Sequence, residues 1–287
     1  KFTSQAVKAN LDHTANPATQ SSTAGGYIRQ YASTDTPDQY TAVVHLSTPY
    51  AAFLEVLAQG FLGIEAPGAL ARSRDENCQS PVGSGPFKVV KWERQNQVVL
   101  ERNPDYHWAP PYAHHQGPAY LDQIIWRFIP EPSVRFAALR SGKVDVIEAL
   151  PPESESAASK NRNLTVLVKD RPGNPTYGAL NTRREPFNDL KVREAFVRSA
   201  DIDGALASIF FNHFHRASGP LSPVTPFYSP DFAHADDYDP QCAAQFLDIA
   251  GWSQAAPVAI RIRNGNPLVV HISFIASTIA TERTLWQ

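Results

Sequence analysis

The segment Pro81–Trp108, PVGSGPFKVVKWERQNQVVLERNPDYHW, decides how the rest of the chain is interpreted. A glycine-rich phosphate loop needs a strand before its glycines and a helix after them, so that helix-end amides face the anion. Here Pro86 directly follows the last glycine, and Phe87–Trp92 is rich in the β-branched and aromatic residues that are typical of a strand. Arg94–Gln97 is a polar turn, and Val98–Arg102 is a second strand. The pattern therefore favours a turn and a β-hairpin over a nucleotide site.

The composition indicates an ordinary globular chain. Of the 287 residues, 43% are hydrophobic and 19% are charged, which argues against a disordered chain. The formal net charge of −2 provides no basic surface, so we expect no nucleic-acid partner. Cys78 and Cys242 are too few for a disulfide framework, and we expect two unpaired thiols. Both ends lie in or next to helical patterns, so we expect an internal segment of a longer protein.

The order of predicted elements indicates a mixed fold, α/β or α+β, in layers. Helices are predicted at 5–13, 50–58, 131–142, 189–211 and 239–251, and strands, besides the hairpin, at 40–46, 121–130, 143–150, 163–170, 176–182 and 268–276. The residues between the first helix and the first strand, 16–28, are rich in Ser, Thr and Gly and predict an exposed loop. The strand–helix–strand order of 121–150 predicts a crossover with parallel strands.

The residues that could carry chemistry form no recognisable catalytic pattern. The chain has no Gly-x-Ser-x-Gly elbow and no Cys/His pair with an orienting group. His114 and His115 lie in a proline-rich loop, where such residues are more often exposed than bound to metal. His213 and His215 are a weak hint of a metal site, but they lie at a predicted helix end, where cations also favour the dipole. We therefore expect no enzyme, no metal and no cofactor.

Aromatic residues are the better candidates for a binding site. Six lie near loops or element ends, where side chains can line a cleft: Tyr27, Tyr31, Trp108, Tyr112, Tyr177 and Tyr228. Taken singly, each is more often a packing residue than a ligand contact, so the aromatics alone do not locate a site.

The hairpin and four later blocks resemble the family 5 extracellular solute-binding proteins of ABC importers. In that family a Pro-x-Gly-Thr-Gly-Pro-[Phe/Tyr] turn precedes a hairpin ending in Glu-Arg-Asn-Pro-x-Tyr-Trp, similar to Pro81–Phe87 and Glu101–Trp108 here. The other similar blocks, in order, are YLDQIIWRFIPEPSVRFAALRSGKVDVI (120–147), ALNTRREPFNDLKVREAFVRSADID (179–203), YDPQCAAQFLDIAGW (238–252) and RIRNGNPLVVHISFIAS (261–277). In the third block, Cys242 replaces a usual Lys.

This resemblance implies a periplasmic-binding-protein-like clamp of two lobes and an extra subdomain, which closes over a solute at a hinge. By analogy, residues 1–117 belong to the extra subdomain, 118–172 to the first lobe and 173–287 to the start of the second lobe. The chain resembles the middle of the family's architecture, so we expect the clamp to be incomplete at both ends.

The implied function is a bacterial, extracytoplasmic receptor, in the periplasm or on the cell surface as a lipoprotein. Such a receptor captures oligopeptides or dipeptides and delivers them to the permease subunits of an ABC importer, and we expect a monomer. A nickel chelate, an opine or a sugar on the same scaffold is the alternative. A non-transport enzyme or a chaperone-like interaction protein is less favoured, because no nucleophile–base pair is legible in the sequence.

The implied ligand contacts lie near the hinge. The segment GNPTYGALNT, 173–182, would cross there, which makes Asn174, Tyr177 and Asn181 the leading candidates. Tyr27, in the loop 16–28, is a further candidate. Nickel-binding members use paired arginines and a tryptophan in the extra subdomain. The chain has no convincing arginine at the matching places near Ala24 and Leu62, which disfavours nickel.

Overall fold

The structure, a computed structural model, describes residues 2–257 and 259–273, and the chain divides into two compact units, 1–130 and 131–287. The first unit has helices α1 (Ser4–Ala15), α2 (Ser22–Tyr27), α3 (Phe53–Leu57), α4 (Pro67–Leu70) and α5 (Arg74–Gln79), and strands β1 (Tyr31–Asp35), β2 (Val43–Leu46), β3 (Phe87–Glu93), β4 (Gln97–Arg102) and β5 (Gln123–Arg127). The second has helices α6 (Pro132–Arg140), α7 (Glu155–Ser159), α8 (Leu190–Arg198), α9 (Ile202–Phe210) and α10 (Pro240–Ile249), and short strands β6 (Ile262–Arg263) and β7 (Asn266–Pro267). Helices and strands in both units confirm the mixed fold class.

The predicted hairpin forms two of the three strands of the largest sheet in the described residues. That sheet has three strands in the order β3-β4-β5, and both of its pairings are antiparallel. Across the β3–β4 ladder, Phe87 faces Arg102 and Trp92 faces Val98, and the register shifts between Val89 and Lys91. The hairpin prediction is therefore confirmed, with a bulge that the sequence pattern did not reveal.

The Gly-Ser-Gly turn is held by the residues that follow the hairpin. The Asn103 amide donates to the Gly85 carbonyl at 3.1 Å, and the Trp108 indole N–H donates to the Ser84 carbonyl at 2.8 Å. The Tyr106 ring packs edge-on against Trp108, with 5.1 Å between ring centroids. The two halves of the opening motif thus bind each other, because donors after β4 satisfy carbonyls before β3.

The first unit has a small apolar core. Its buried members are Leu11, Ile28, Val56 and Leu62, contributed by α1, α3 and the chain around them. Asn10 is also buried, and its side chain pairs with the backbone of Glu65 in both directions. Its amide donates to the Glu65 carbonyl at 2.7 Å, and its oxygen accepts from the Glu65 N–H at 2.9 Å. This pair fastens α1 to the chain before α4.

In the second unit, capped helices surround another core. Phe187, Val192 and Trp252 are its buried members, and α8 packs against α10. The helix predicted over 189–211 is two helices, because Asp201 begins a new one: its carboxylate accepts from the Gly204 N–H at 2.9 Å. Aspartate is a favoured N-cap because it satisfies an orphan N–H and complements the helix dipole.

Several predicted elements are wrong. Over residues 143–150, 163–170 and 176–182, all of them described, the structure has no strand, and the predicted parallel crossover is absent there. A strand requires a hydrogen-bonded neighbour, and these segments pair with none in the described residues. The loop predicted at 16–28 contains α2 and a 3₁₀ turn, Pro17–Thr19. Of the strand predicted at 268–276, residues 268–273 are not a strand, and the rest lie outside the described residues.

Candidate functional site

Two of the four predicted ligand contacts lie together. Asn174 and Tyr177 line an open depression of about 340 Å³, together with Pro175, Gly219 and Pro220. The Tyr177 side chain is 67% exposed. Known ligand pockets measure roughly 300–1,000 Å³, so the depression is at the small end of that range. Within the described part of the second unit, we take this depression as the candidate ligand site, because two of the predicted contact residues line it.

Asn181 does not line this depression. Its side-chain oxygen accepts from the Arg183 backbone N–H at 3.1 Å, and its carbonyl accepts from the Arg184 N–H at 3.2 Å. Asparagine commonly forms such a local turn, because its side chain mimics a backbone carbonyl. Leu180, between Tyr177 and Asn181, packs on the core of the second unit and so fixes this stretch of chain.

One wall of the depression belongs to a loop that is bound to the segment before Asn174. The Ser222 hydroxyl donates to the Arg171 carbonyl at 2.6 Å, and the Ser222 N–H donates to the Gly173 carbonyl at 2.9 Å. In return, the Gly173 N–H donates to the Thr225 hydroxyl at 2.7 Å. Gly173 has a φ of +102°, a backbone conformation that side chains rarely allow. Two loops that are distant in sequence are thereby joined into one surface.

Tyr27 lies in the first unit, at the C-terminal end of α2. Its ring stacks on Phe61 with 6.3 Å between centroids and 17° between planes, and the Tyr27 side chain is 40% exposed. The next residue, Ile28, is a buried member of the core, which holds this end of the helix in place. Tyr27 and the residues near Tyr177 belong to different units, so their joint role stays a prediction.

A second, polar cavity was not predicted from the sequence. It measures about 450 Å³ and is lined by Asp203, Leu206, Asn212, Phe214, His215, Arg216, Ser218, Ala233, His234 and Asp237. Within it, Arg216 pairs with Asp237 at 3.2 Å and also donates to the Asp236 carbonyl. His234 contacts the same Asp237 carboxylate at 3.1 Å. Only the fold reveals the Arg216 pairing, because Arg216 is about twenty residues from Asp236 and Asp237, whereas His234 and Asp237 lie in the same loop.

The histidines that hinted at a metal site are not brought together. The His213 ring nitrogen pairs with the Glu155 carboxylate at 2.9 Å, whereas His215 lines the polar cavity. His115 stacks on Tyr120 and contacts the Pro118 carbonyl at 2.9 Å. Within residues 2–257 and 259–273, no group of three or more His, Cys, Asp or Glu residues could hold a metal ion.

Two further observations concern the cysteines and the helices of the described residues. Cys78 and Cys242 are both free thiols, the first exposed and the second half-buried. Across the described part of the chain, none of the helices has the length and apolar character that a membrane span requires.

Comparison with known proteins identifies the family. The family model described as "Bacterial extracellular solute-binding proteins, family 5 Middle" matches residues 1–281, nearly the whole chain. The chain belongs to this family. This match confirms the resemblance carried by the hairpin motif and the four later blocks. It places the chain among the bacterial extracellular solute-binding proteins.

Individual relatives agree with this assignment. The chain is 30% identical over 260 residues to the glutathione-binding protein GsiB of Escherichia coli O1:K1 / APEC, an alignment that covers 88% of the chain and 47% of GsiB. NikA from Brucella suis, solved in complex with Fe(III)-EDTA, is 26% identical with a TM-score of 0.70, over 93% of this chain and 53% of NikA. The chain thus spans about half the length of these proteins.

A third structure shares the fold. The ABC transporter-associated periplasmic binding protein DppA from Helicobacter pylori, in complex with the peptide STSA, has a TM-score of 0.72 at 24% identity, over 87% of this chain and 50% of DppA. At this identity the likeness supports the fold alone.

Proposed function

We propose that the protein carrying this chain is an extracytoplasmic receptor that captures oligopeptides or dipeptides and delivers them to an ABC importer. The family match over residues 1–281 is the observation that carries this proposal. GsiB is a glutathione-binding protein, and glutathione is itself a small peptide, which favours a peptide ligand over a sugar. Under this proposal the protein binds and releases its solute, and it catalyses no reaction.

The proposed ligand contacts are Asn174, Tyr177, Asn181 and Tyr27. Asn174 and Tyr177 have the strongest support, because they line one depression, and an amide beside an exposed aromatic ring suits a peptide group and a side chain. The proposed assignment of the chain is 1–117 to an extra subdomain, 118–172 to the first lobe and 173–287 to the start of the second. Closure of such lobes on a solute would shift an open–closed equilibrium, which gives a permease a signal that the receptor is loaded.

Native mass spectrometry of the purified protein at its full natural length tests the ligand class. We expect a mixture of bound peptides, released by mild denaturation and identified by fragmentation. Calorimetric titration with a dipeptide, with glutathione and with Fe(III)-EDTA then compares the classes directly. Tight binding of the chelate with no peptide binding would overturn the peptide proposal in favour of the chelate alternative, for which the similarity to NikA is the supporting observation.

The remaining parts of the proposal are the location, the partner and the oligomeric state. We propose that the receptor is a monomer in the periplasm or on the cell surface as a lipoprotein, and that its partners are the permease subunits of the importer. Cell fractionation with a globomycin-treated control separates the lipoprotein from the free form. Recovery of the protein in the cytoplasmic fraction of intact cells would contradict both.

A further inference from the structure

We propose that the depression beside Tyr177 is an apolar subsite that accepts one hydrophobic side chain of the captured solute, and that Ser222 and Thr225 position its wall. This inference rests on the proposed function and deepens it, because it narrows the solute to peptides with an aliphatic or aromatic side chain. Five residues line the subsite: Asn174, Pro175, Tyr177, Gly219 and Pro220.

The chemical character of the lining residues determines which kind of ligand side chain the subsite favours. Two proline rings, a tyrosine ring and a glycine supply mostly carbon surface, and none of the lining residues in the described part of the chain is charged. A polar side chain would lose hydration there and gain few hydrogen bonds. An apolar side chain gains about 25 cal/mol for each Å² removed from water, so the subsite favours it.

The Asn174 amide gives the subsite a polar group besides the Tyr177 hydroxyl. An amide can donate to a carbonyl and accept from an N–H, which are the two groups that every peptide bond presents. As a lining residue of a mostly apolar depression, Asn174 can therefore hold the main chain of a peptide while the side chain enters. This arrangement fits a peptide better than a free hydrocarbon, which would leave the amide without a partner.

The wall of the depression is already held in place, so little conformational entropy is lost when a ligand binds. Pro175 and Pro220 have φ fixed by their rings, and the hydroxyls of Ser222 and Thr225 join the two loops. These two hydroxyls also contact each other at 2.9 Å. Neither residue lines the depression, so both act as positioning residues through Gly219 and Pro220. A preformed wall raises affinity because less ordering accompanies binding.

A peptide panel tests the subsite on the protein at its full natural length. The probes are the dipeptides Ala-Leu and Ala-Asn and the reversed pair Leu-Ala and Asn-Ala, because leucine and asparagine side chains have the same branching and number of heavy atoms but differ in polarity. We expect at least one leucine peptide to bind about 10-fold tighter than its asparagine counterpart, as burial of one leucine side chain implies. Equal or tighter binding of both asparagine peptides overturns the inference.

Thr225→Val tests the positioning role, because valine keeps the shape of threonine and removes the hydroxyl that accepts from Gly173. We expect the ratio of the leucine to the asparagine affinity to fall toward one, while Thr225→Ser, which keeps the hydroxyl, retains it. Ser208→Ala is the matched control, because the Ser208 hydroxyl donates only to the carbonyl of Ala205 in its own helix. An unchanged ratio in a folded Thr225→Val protein, judged by circular dichroism, contradicts the positioning role.

The outcomes separate this inference from the proposed function. If the unaltered protein binds dipeptides without a preference for leucine, the apolar subsite is wrong and the peptide receptor stands. If it binds none of the four dipeptides and none co-purifies, the peptide receptor is wrong and the inference fails with it. A leucine preference that Thr225→Val leaves intact supports the apolar subsite and contradicts the positioning role of Thr225.

Discussion

The β3–β4 hairpin and the segment 163–170 have similar composition but different structures. Both are rich in valine and leucine, and both were predicted to be strands. The hairpin forms two paired strands, whereas the other segment forms none, and its Leu167 and Val168 side chains are 88% and 69% exposed. The hairpin carries its partner strand three residues away, so local sequence is sufficient for pairing. The isolated segment has high strand propensity but no neighbour among the described residues, and propensity alone does not make a strand.

Trp252→Ala is expected to have the largest effect, because it removes the core of the second unit. Trp252 is 4% exposed, packs with Phe187 and Val192, and lies 4.6 Å below the guanidinium of Arg263. Loss of a buried tryptophan costs about 3–5 kcal/mol of unfolding free energy. Urea denaturation followed by circular dichroism measures it. A loss below about 1 kcal/mol would mean that α8 and α10 do not depend on this core.

Asn10→Ala is the corresponding change in the first unit. It leaves the Glu65 N–H and carbonyl without their side-chain partners, at a residue that is 7% exposed. We expect a loss of about 2 kcal/mol, the usual cost of an unsatisfied buried group together with a lost hydrogen bond. Asn16→Ala is the control, because the Asn16 side chain accepts only a local, exposed bond from Ala18. Equal losses in both variants would contradict the fastening role of Asn10.

Tyr31 makes the stability of the first unit depend on pH in the alkaline range. Burial, reinforced by a hydrogen bond to Asp12, raises the pKa of Tyr31 from 10.0 to about 12. The folded state therefore binds the proton more tightly than the unfolded state. The contribution of the protonated Tyr31 to stability is complete below pH 10 and is lost as the pH rises toward about 12.

We expect Tyr31→Phe to flatten this alkaline decline, since phenylalanine has no proton to lose. Urea midpoints measured from pH 9 upward compare the variant with the unaltered chain. Tyr40→Phe is the control, because Tyr40 is 75% exposed. An alkaline decline that is the same in all three proteins would contradict the linkage to Tyr31.

Leu167→Ser is expected to have the smallest effect and sharpens the comparison most directly. A side chain that is 88% exposed contributes little to folding, so the change in unfolding free energy should lie within about 0.5 kcal/mol. The matched substitution Leu100→Ser, at a half-buried position in β4, should cost distinctly more. If the protein at its full natural length shows a large loss for Leu167→Ser, then this segment is buried there, and its predicted strand has a partner.

The sequence predicted local elements better than distant ones. Helix caps such as Asp239, with Pro240 after it, mark α10 closely, and the hairpin follows from alternation around a short turn. Parallel pairing, by contrast, depends on residues far apart in sequence, and the crossover predicted for 121–150 is wrong. Only the fold places Pro220 beside Tyr177, because more than forty residues separate them. The ligand contacts, including Tyr27, stay predictions.

The clamp of Asn103 and Trp108 on the Gly-Ser-Gly turn has a consequence for how the first unit opens. The Trp108–Ser84 bond ties together residues 24 positions apart and so closes a ring around the whole hairpin. Opening of β3 or β4 from its end is thereby disfavoured, because the ends are held. Local opening then becomes one cooperative event, and the amide protons of the ring should exchange with solvent at a common rate. Trp108→Phe removes one of the bonds that hold the ends, and the amides near Phe87 and Arg102 should then exchange sooner than the rest of the ring.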